Sequence, residues 1–143
     1  MVRPSVLLDT GPLVALLDRG EPHHSWAVGQ FENLPFPFVT CEVVIGEAAH
    51  LAGKIGITPD VVLDFVRTGA VVIDYQLAVG VEQLQILVQR YADVPMDLAD
   101  ACLVRLAERY SGASVLTLDS DFFVYRTSDG SALPVIHPVS SPG

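Results

Sequence analysis

Residues 5–17, SVLLDTGPLVALL, decide the fold. Ser5–Leu8 is an apolar run too short for a helix, as expected of a strand buried on both faces. Asp9-Thr10-Gly11-Pro12 then turns the chain. Pro12 stands where a first-turn proline opens a helix, and the apolar residues Leu13 to Leu17 continue it. Working outward, the same alternation recurs. Gly20 and Pro22 break the first helix, and a second is expected from about His23 to Asn33. Phe36–Thr40 reads as a strand, and Thr40 caps a helix running to about Lys54. Thr58-Pro59-Asp60 opens a helix ending near Gly69, and Ala70–Ile73 is a third strand. Leu77–Tyr91 is helical by its apolar spacing, and Asp97 starts a helix that reaches about Ser111. Ala113–Leu118 is a fourth strand and Pro134–Ile136 a fifth. Continuous apolar strands alternating with helices predict an α/β fold. Its parallel sheet has about four or five strands, with helices on both faces. In such a sheet the functional crevice lies at the carboxyl ends of the strands.

The chain has 143 residues, the size of one domain. Residues 1–137 are expected to form it, with Pro138–Gly143 as a frayed tail. Apolar residues make up 50% and charged residues 17%, too apolar for a disordered chain. No apolar run is long enough to span a membrane, and the N-terminus has no basic region followed by an apolar stretch. The expected compartment is therefore the cytoplasm, with Cys41 and Cys102 as reduced core thiols. No Cys/His spacing suggests zinc. His23 and His24 are adjacent, and His50 and His137 are isolated. Eight Lys and Arg against 17 Asp and Glu leave a net charge of −9, and Lys54 is the single lysine. A protein that held nucleic acid by neutralising phosphates alone would be basic. If this one handles nucleic acid, a divalent cation is the obvious source of positive charge. Solubility is the plainer reading of the same number.

Four acids stand out from the solvated majority. Asp9 follows the first strand and Asp119 the fourth, both at carboxyl ends, where a turn-forming Asp is the competing explanation. Glu47 has Val43, Val44, His50 and Leu51 at three and four residues, which reads as a place on the apolar stripe. A carboxylate there needs a partner, whether an arginine or a metal. Asp100 repeats the pattern with Leu103, Val104 and Ala107, although a cap at Asp97 and the helix dipole would also explain it. Two carboxylates 4 Å apart repel by about 4 kcal/mol at an effective dielectric of 20. A divalent cation removes that cost, and all-oxygen ligands suit Mg²⁺ or Mn²⁺. That is the usual apparatus of phosphodiester chemistry.

Four segments together resemble the PIN-domain family, specifically its VapC-type toxin ribonucleases. They are VLLDTGPLVALLD (6–18), TCEVVIGEAAHL (40–51), YADVPMDLADACLVRLAE (91–108) and VLTLDSDFFVYR (115–126). They fall in family order and spacing, and span nearly the whole chain. The resemblance implies a Mg²⁺- or Mn²⁺-dependent endoribonuclease for single-stranded RNA. Asp9, Glu47, Asp100 and Asp119 match its acidic quartet and would hold the metal. Thr10 would orient Asp9 or a water, and Asp97 and Asp121 stand beside the quartet. Whether Asp119 or Asp121 is the fourth ligand stays open, with Asp119 preferred as nearer the strand end. A cognate antitoxin protein and a homodimer are implied as partners.

Rival readings are weaker. Leu7-Leu8-Asp9-Thr10-Gly11 also suits a retroviral-type aspartic protease, but that chemistry sits on an all-β fold. A phosphotransferase with a nucleophilic Asp usually has a second Asp two residues on, where Gly11 stands. A non-catalytic PIN-like module binding RNA or protein would be expected to have lost carboxylates of the quartet. Arg105, Arg109 and Arg126 are candidate phosphate contacts, with ordinary ion pairing as the alternative. The RNA target is not written in the sequence.

Overall fold

The computed structural model describes residues 5–139. The tail expected to fray therefore lies, from Ser140 onward, outside the described residues. The strands are β1 (Val6–Leu8), β2 (Phe38–Thr40), β3 (Val71–Ile73), β4 (Ser114–Leu116) and β5 (Val135–Ile136). Between them run α1 (Thr10–Leu17), α2 (His24–Asn33), α3 (Glu42–Gly53), α4 (Pro59–Arg67), α5 (Val81–Arg90) and α6 (Leu98–Arg109), with a 3₁₀ turn at Ser120–Phe123. All strand pairs are parallel, in the order β3-β2-β1-β4-β5. The chain winds outward from β1 to β3, then returns to place β4 on the other side of β1. The β1/β4 boundary is thus the topological switch point, where open α/β sheets bind ligands.

Side-chain alternation sorts the core into two faces. Leu7, Val39 and Val115 pack with Leu84 and Leu87 of α5 and Leu103 and Leu106 of α6. Val6, Leu8, Phe38, Val71 and Leu116 pack with α1 to α4 through Leu13, Phe31, Ala48 and Val62. Helix α3 straddles the two, with Val44 in the first cluster and Ile45, Ala48 and Ala52 in the second. Cys41 and Cys102 are buried and free, as expected. Among the described residues no helix is long and apolar enough to cross a membrane.

Three local expectations change. Thr40 does not cap α3; its hydroxyl donates to the Leu8 carbonyl at 2.6 Å and ties β2 to β1. Cys41 holds the cap position without a side-chain bond. Helix α5 begins at Val81 rather than Leu77, because the preceding residues close tight turns instead, with the Val79 N–H donating to the Gln76 carbonyl and the Gly80 N–H to the Leu77 carbonyl, both at 3.1 Å. Strand β4 ends at Leu116, two residues early; the Thr117 N–H still donates to the Ile136 carbonyl at 3.1 Å while its hydroxyl donates to Asp9.

Candidate functional site

The site grows from the way β1 hands the chain to α1. Asp9 caps that helix: one carboxylate oxygen accepts the Thr10 N–H at 2.8 Å, and the other accepts the Thr117 hydroxyl at 2.6 Å. The same Thr117 oxygen accepts the Asp119 N–H at 2.9 Å. One threonine past β4 therefore fixes the carboxylate after β1 and the backbone of the acid beyond β4. Asp119 in turn caps the 3₁₀ turn, with Oδ1 accepting the Asp121 N–H at 2.9 Å. At the start of α6, Asp97 Oδ1 accepts the Asp100 N–H at 2.8 Å, while Asp100 Oδ2 stands 3.5 Å from the Asp97 N–H. A firmer anchor is the Tyr125 hydroxyl, which donates to Asp100 Oδ2 at 2.8 Å. Tyr91 and Phe122 pack edge-on against the Tyr125 ring, at centroid distances of 5.0 and 5.2 Å.

Asp9, Glu47, Asp97, Asp100 and Asp119 line one cleft of about 410 Å³, with Thr10 and Gly11 on the α1 side and Leu118 opposite. A Cβ on Gly11 would stand 3.1 Å from the Leu118 side chain, so glycine lets the two walls meet. Among the described residues, no Lys, Arg or His lines the cleft. Burial raises the Asp9 carboxyl to about 6 against the hydrogen bonds from Thr117 and Thr10, and the charges of Asp119 and Asp97 add to the rise. Burial likewise pushes Asp100 up to about 8, opposed by Tyr125 and reinforced by Asp97, Asp9 and Asp119. Glu47 is raised by burial and by Asp97, and the nearby Thr10 hydroxyl eases it.

All four acids expected from the sequence line this cleft, and Asp97 lines it with them. Asp121 does not; it lies behind Asp119, and its carboxyl is raised by burial and by that neighbour's charge. Glu47 corrects the sequence reading: it is exposed and stands at the rim, not on a buried stripe. The buried positions of α3 are Val44, Ile45, Ala48 and Ala52, which leave position 47 on the flank. Among the described residues no three His, Cys, Asp or Glu side chains are gathered into a ready-made metal cage. The donors nevertheless fit Mg²⁺ or Mn²⁺ in kind, being all oxygen and mutually repulsive. Thr10 Oγ1 is buried in the cleft wall without a hydrogen-bond partner of good geometry, an orphan that a ligand or its water would satisfy.

Thr117 and Tyr125 were missed as site residues. Thr117 carried a faint signal, a hydroxyl in an apolar strand two residues before Asp119; Tyr125 carried none. The candidate phosphate contacts are otherwise engaged. Arg105 pairs with Glu108 at 2.7 Å. Arg109 donates to the Asp74 carbonyl at 2.6 Å and lies 3.5 Å from its carboxylate. Arg126 donates to the carbonyls of Phe123, Val124 and Tyr125 at 2.9, 3.0 and 2.9 Å, locking the turn that delivers Tyr125.

The sequence pattern of the PIN domain family matches residues 6–127. Ribonuclease VapC26 of Mycobacterium tuberculosis is 31% identical over 120 residues, which cover 82% of this chain and 89% of that protein.

Proposed function

Because the chain belongs to the PIN-domain family, we propose that it is a divalent-metal-dependent endoribonuclease for single-stranded RNA, and the toxin of a toxin–antitoxin pair. The observation that carries this reading is the row of carboxylates at the β1/β4 switch point, two of them buried with their carboxyl pKa raised by that burial. Buried acids without a counter-charge cost stability, and a fold retains them where they have work to do. Asp9, Glu47, Asp100 and Asp119 would hold Mg²⁺ or Mn²⁺. The cation, when bound, supplies charge neutralisation at the phosphodiester and activation of the attacking water.

The chain's own groups set up that chemistry. Thr117 holds the Asp9 carboxylate and the Asp119 backbone in fixed relation. Tyr125 ties one Asp100 oxygen and leaves the other for the cleft. Glu47 is the exposed member at the rim, where it would reach a cation or its water from the solvent side. The family reading brings with it a cognate antitoxin and a homodimer.

Purified protein incubated with a mixed-sequence single-stranded RNA should cleave it with Mn²⁺ or Mg²⁺ and not with EDTA. Binding without cleavage under any divalent cation would favour the non-catalytic module instead.

A further inference from the structure

The cleft poses a binding problem. Polyanions are held largely by neutralising phosphates, and among the described residues no basic side chain lines this wall. A bound cation would offset part of the acidity, but it sits at one point and gives no grip on flanking nucleotides. An unpaired strand offers something other than charge: the π-faces of its bases.

The row of strand ends holds one more residue, which the sequence left isolated. Asp9 directly follows β1, and His137 directly follows β5. Strand β5 runs parallel to β4, so His137 stands on the same edge of the sheet, beside the segment that carries Asp119. Its Nε2 lies 3.1 Å from the Leu118 carbonyl, and its Nδ1 accepts the Val139 N–H at 3.0 Å. Nδ1 also lies 3.1 Å from the Val139 carbonyl, so backbone groups engage both ring nitrogens and hold the ring in place. Phe123, the last residue of the 3₁₀ turn that Asp119 opens, packs against it at 5.5 Å and 66°. Both rings are half-buried, whereas the adjacent Phe122 is wholly in the core. An aromatic pair thus stands beside Leu118, just outside the residues that line the cleft, and packing already orders it, so holding it for a ligand costs little side-chain entropy.

We infer that His137 and Phe123 form a stacking subsite for an unpaired nucleobase of the RNA, next to the phosphodiester held over the carboxylates. The inference rests on the ribonuclease reading above and deepens it. The competing role is a structural pin that fastens β5 to Leu118. A pin changes stability; a platform changes substrate affinity.

Phe123→Leu keeps apolar bulk and removes the aromatic face, Phe123→Tyr keeps the face, and His137→Gln keeps a donor for the Leu118 carbonyl without the ring. Steady-state cleavage of a single-stranded 12-mer with Mn²⁺ should show KM about tenfold higher for Phe123→Leu and His137→Gln. Their kcat should be unchanged, and Phe123→Tyr should match the wild type. Fluorescence anisotropy of a labelled, non-cleavable 2′-O-methyl, phosphorothioate 12-mer with Mn²⁺ should show the same loss of affinity, and an abasic nucleotide at one position of the 12-mer should reproduce it in the wild type. Unchanged KM and affinity in a wild type that cleaves would overturn the platform and leave the nuclease reading intact. Weakened binding by the variants of a wild type that never cleaves would support the platform and sink the nuclease reading. Lower melting temperature with unchanged KM would establish the pin and overturn the inference.

Discussion

Asp9→Asn should make the metal-free protein more stable and the enzyme inactive. Burial, more than the neighbouring charges, lifts the Asp9 carboxyl from 3.8 to about 6 in the fold. A raised carboxyl pKa means that the folded state holds its proton longer than the unfolded chain does. Stability from this group therefore falls as pH rises from about 4 and is fully lost above about 6. A shift of about two units corresponds to about 3 kcal/mol at pH 8. Asparagine removes that penalty. It keeps an acceptor for the Thr10 N–H but presents an amide to Thr117, whose proton then lacks its partner, at about 1 kcal/mol. The net gain is about 2 kcal/mol at pH 8, or about 6 °C in Tm for a domain of this size. At pH 4.5 the penalty shrinks to about 1 kcal/mol, so the two proteins should melt together there. The assay is calorimetry in EDTA at both pH values, paired with RNA cleavage in Mn²⁺, where a loss of about 100-fold or more is expected. If Asp9→Asn melted well below the wild type at pH 8, the carboxylate would be a structural partner and the repulsion argument would be wrong.

Three further outcomes follow from the same geometry. Mn²⁺ should raise Tm more at pH 8 than at pH 5.5, because the carboxyls of Asp9 and Asp100, raised to about 6 and about 8, must lose their protons before they bind it; a response independent of pH in a metal titration followed by melting would contradict this. Tyr125→Phe keeps the ring in its cage but removes the donor that opposes the rise at Asp100, so Mn²⁺ binding followed by electron paramagnetic resonance should develop at higher pH, with stability lowered by only about 1 kcal/mol. Arg126→Ala should lower Tm by loosening the turn and leave the salt dependence of RNA binding unchanged, whereas loss of a phosphate-contacting arginine would flatten it.

The strands were legible because each is a short apolar run between turn residues, and such runs carry their own register of faces. Val6, Leu7 and Leu8 went to alternate cores as the period of two requires. Glu47 was not legible in the same way. Helix α3 is apolar at Val43, Val44, Ile45, Ala48, Ala49, Leu51 and Ala52 because it touches both cores, so its apolar arc is wider than one stripe and its edge cannot be drawn by counting turns. Thr117 and Tyr125 were hidden for a different reason. Their partners are Asp9, 108 residues away, and Asp100, 25 residues away, and no local spacing encodes either pair.

The acidity of the chain was legible from composition, but its consequence needed the fold. A charge of −9 spread over a surface is solubility; carboxylates drawn to one switch point are a demand for a cation. The arginines that would have met an RNA backbone are bound to Asp74, Glu108 and three carbonyls of one turn. On the function proposed above, positive charge at the cleft would come from a bound divalent cation. Any grip on the flanking nucleotides falls to groups that bind without charge, and the aromatic corner beyond Leu118 is where the fold supplies them.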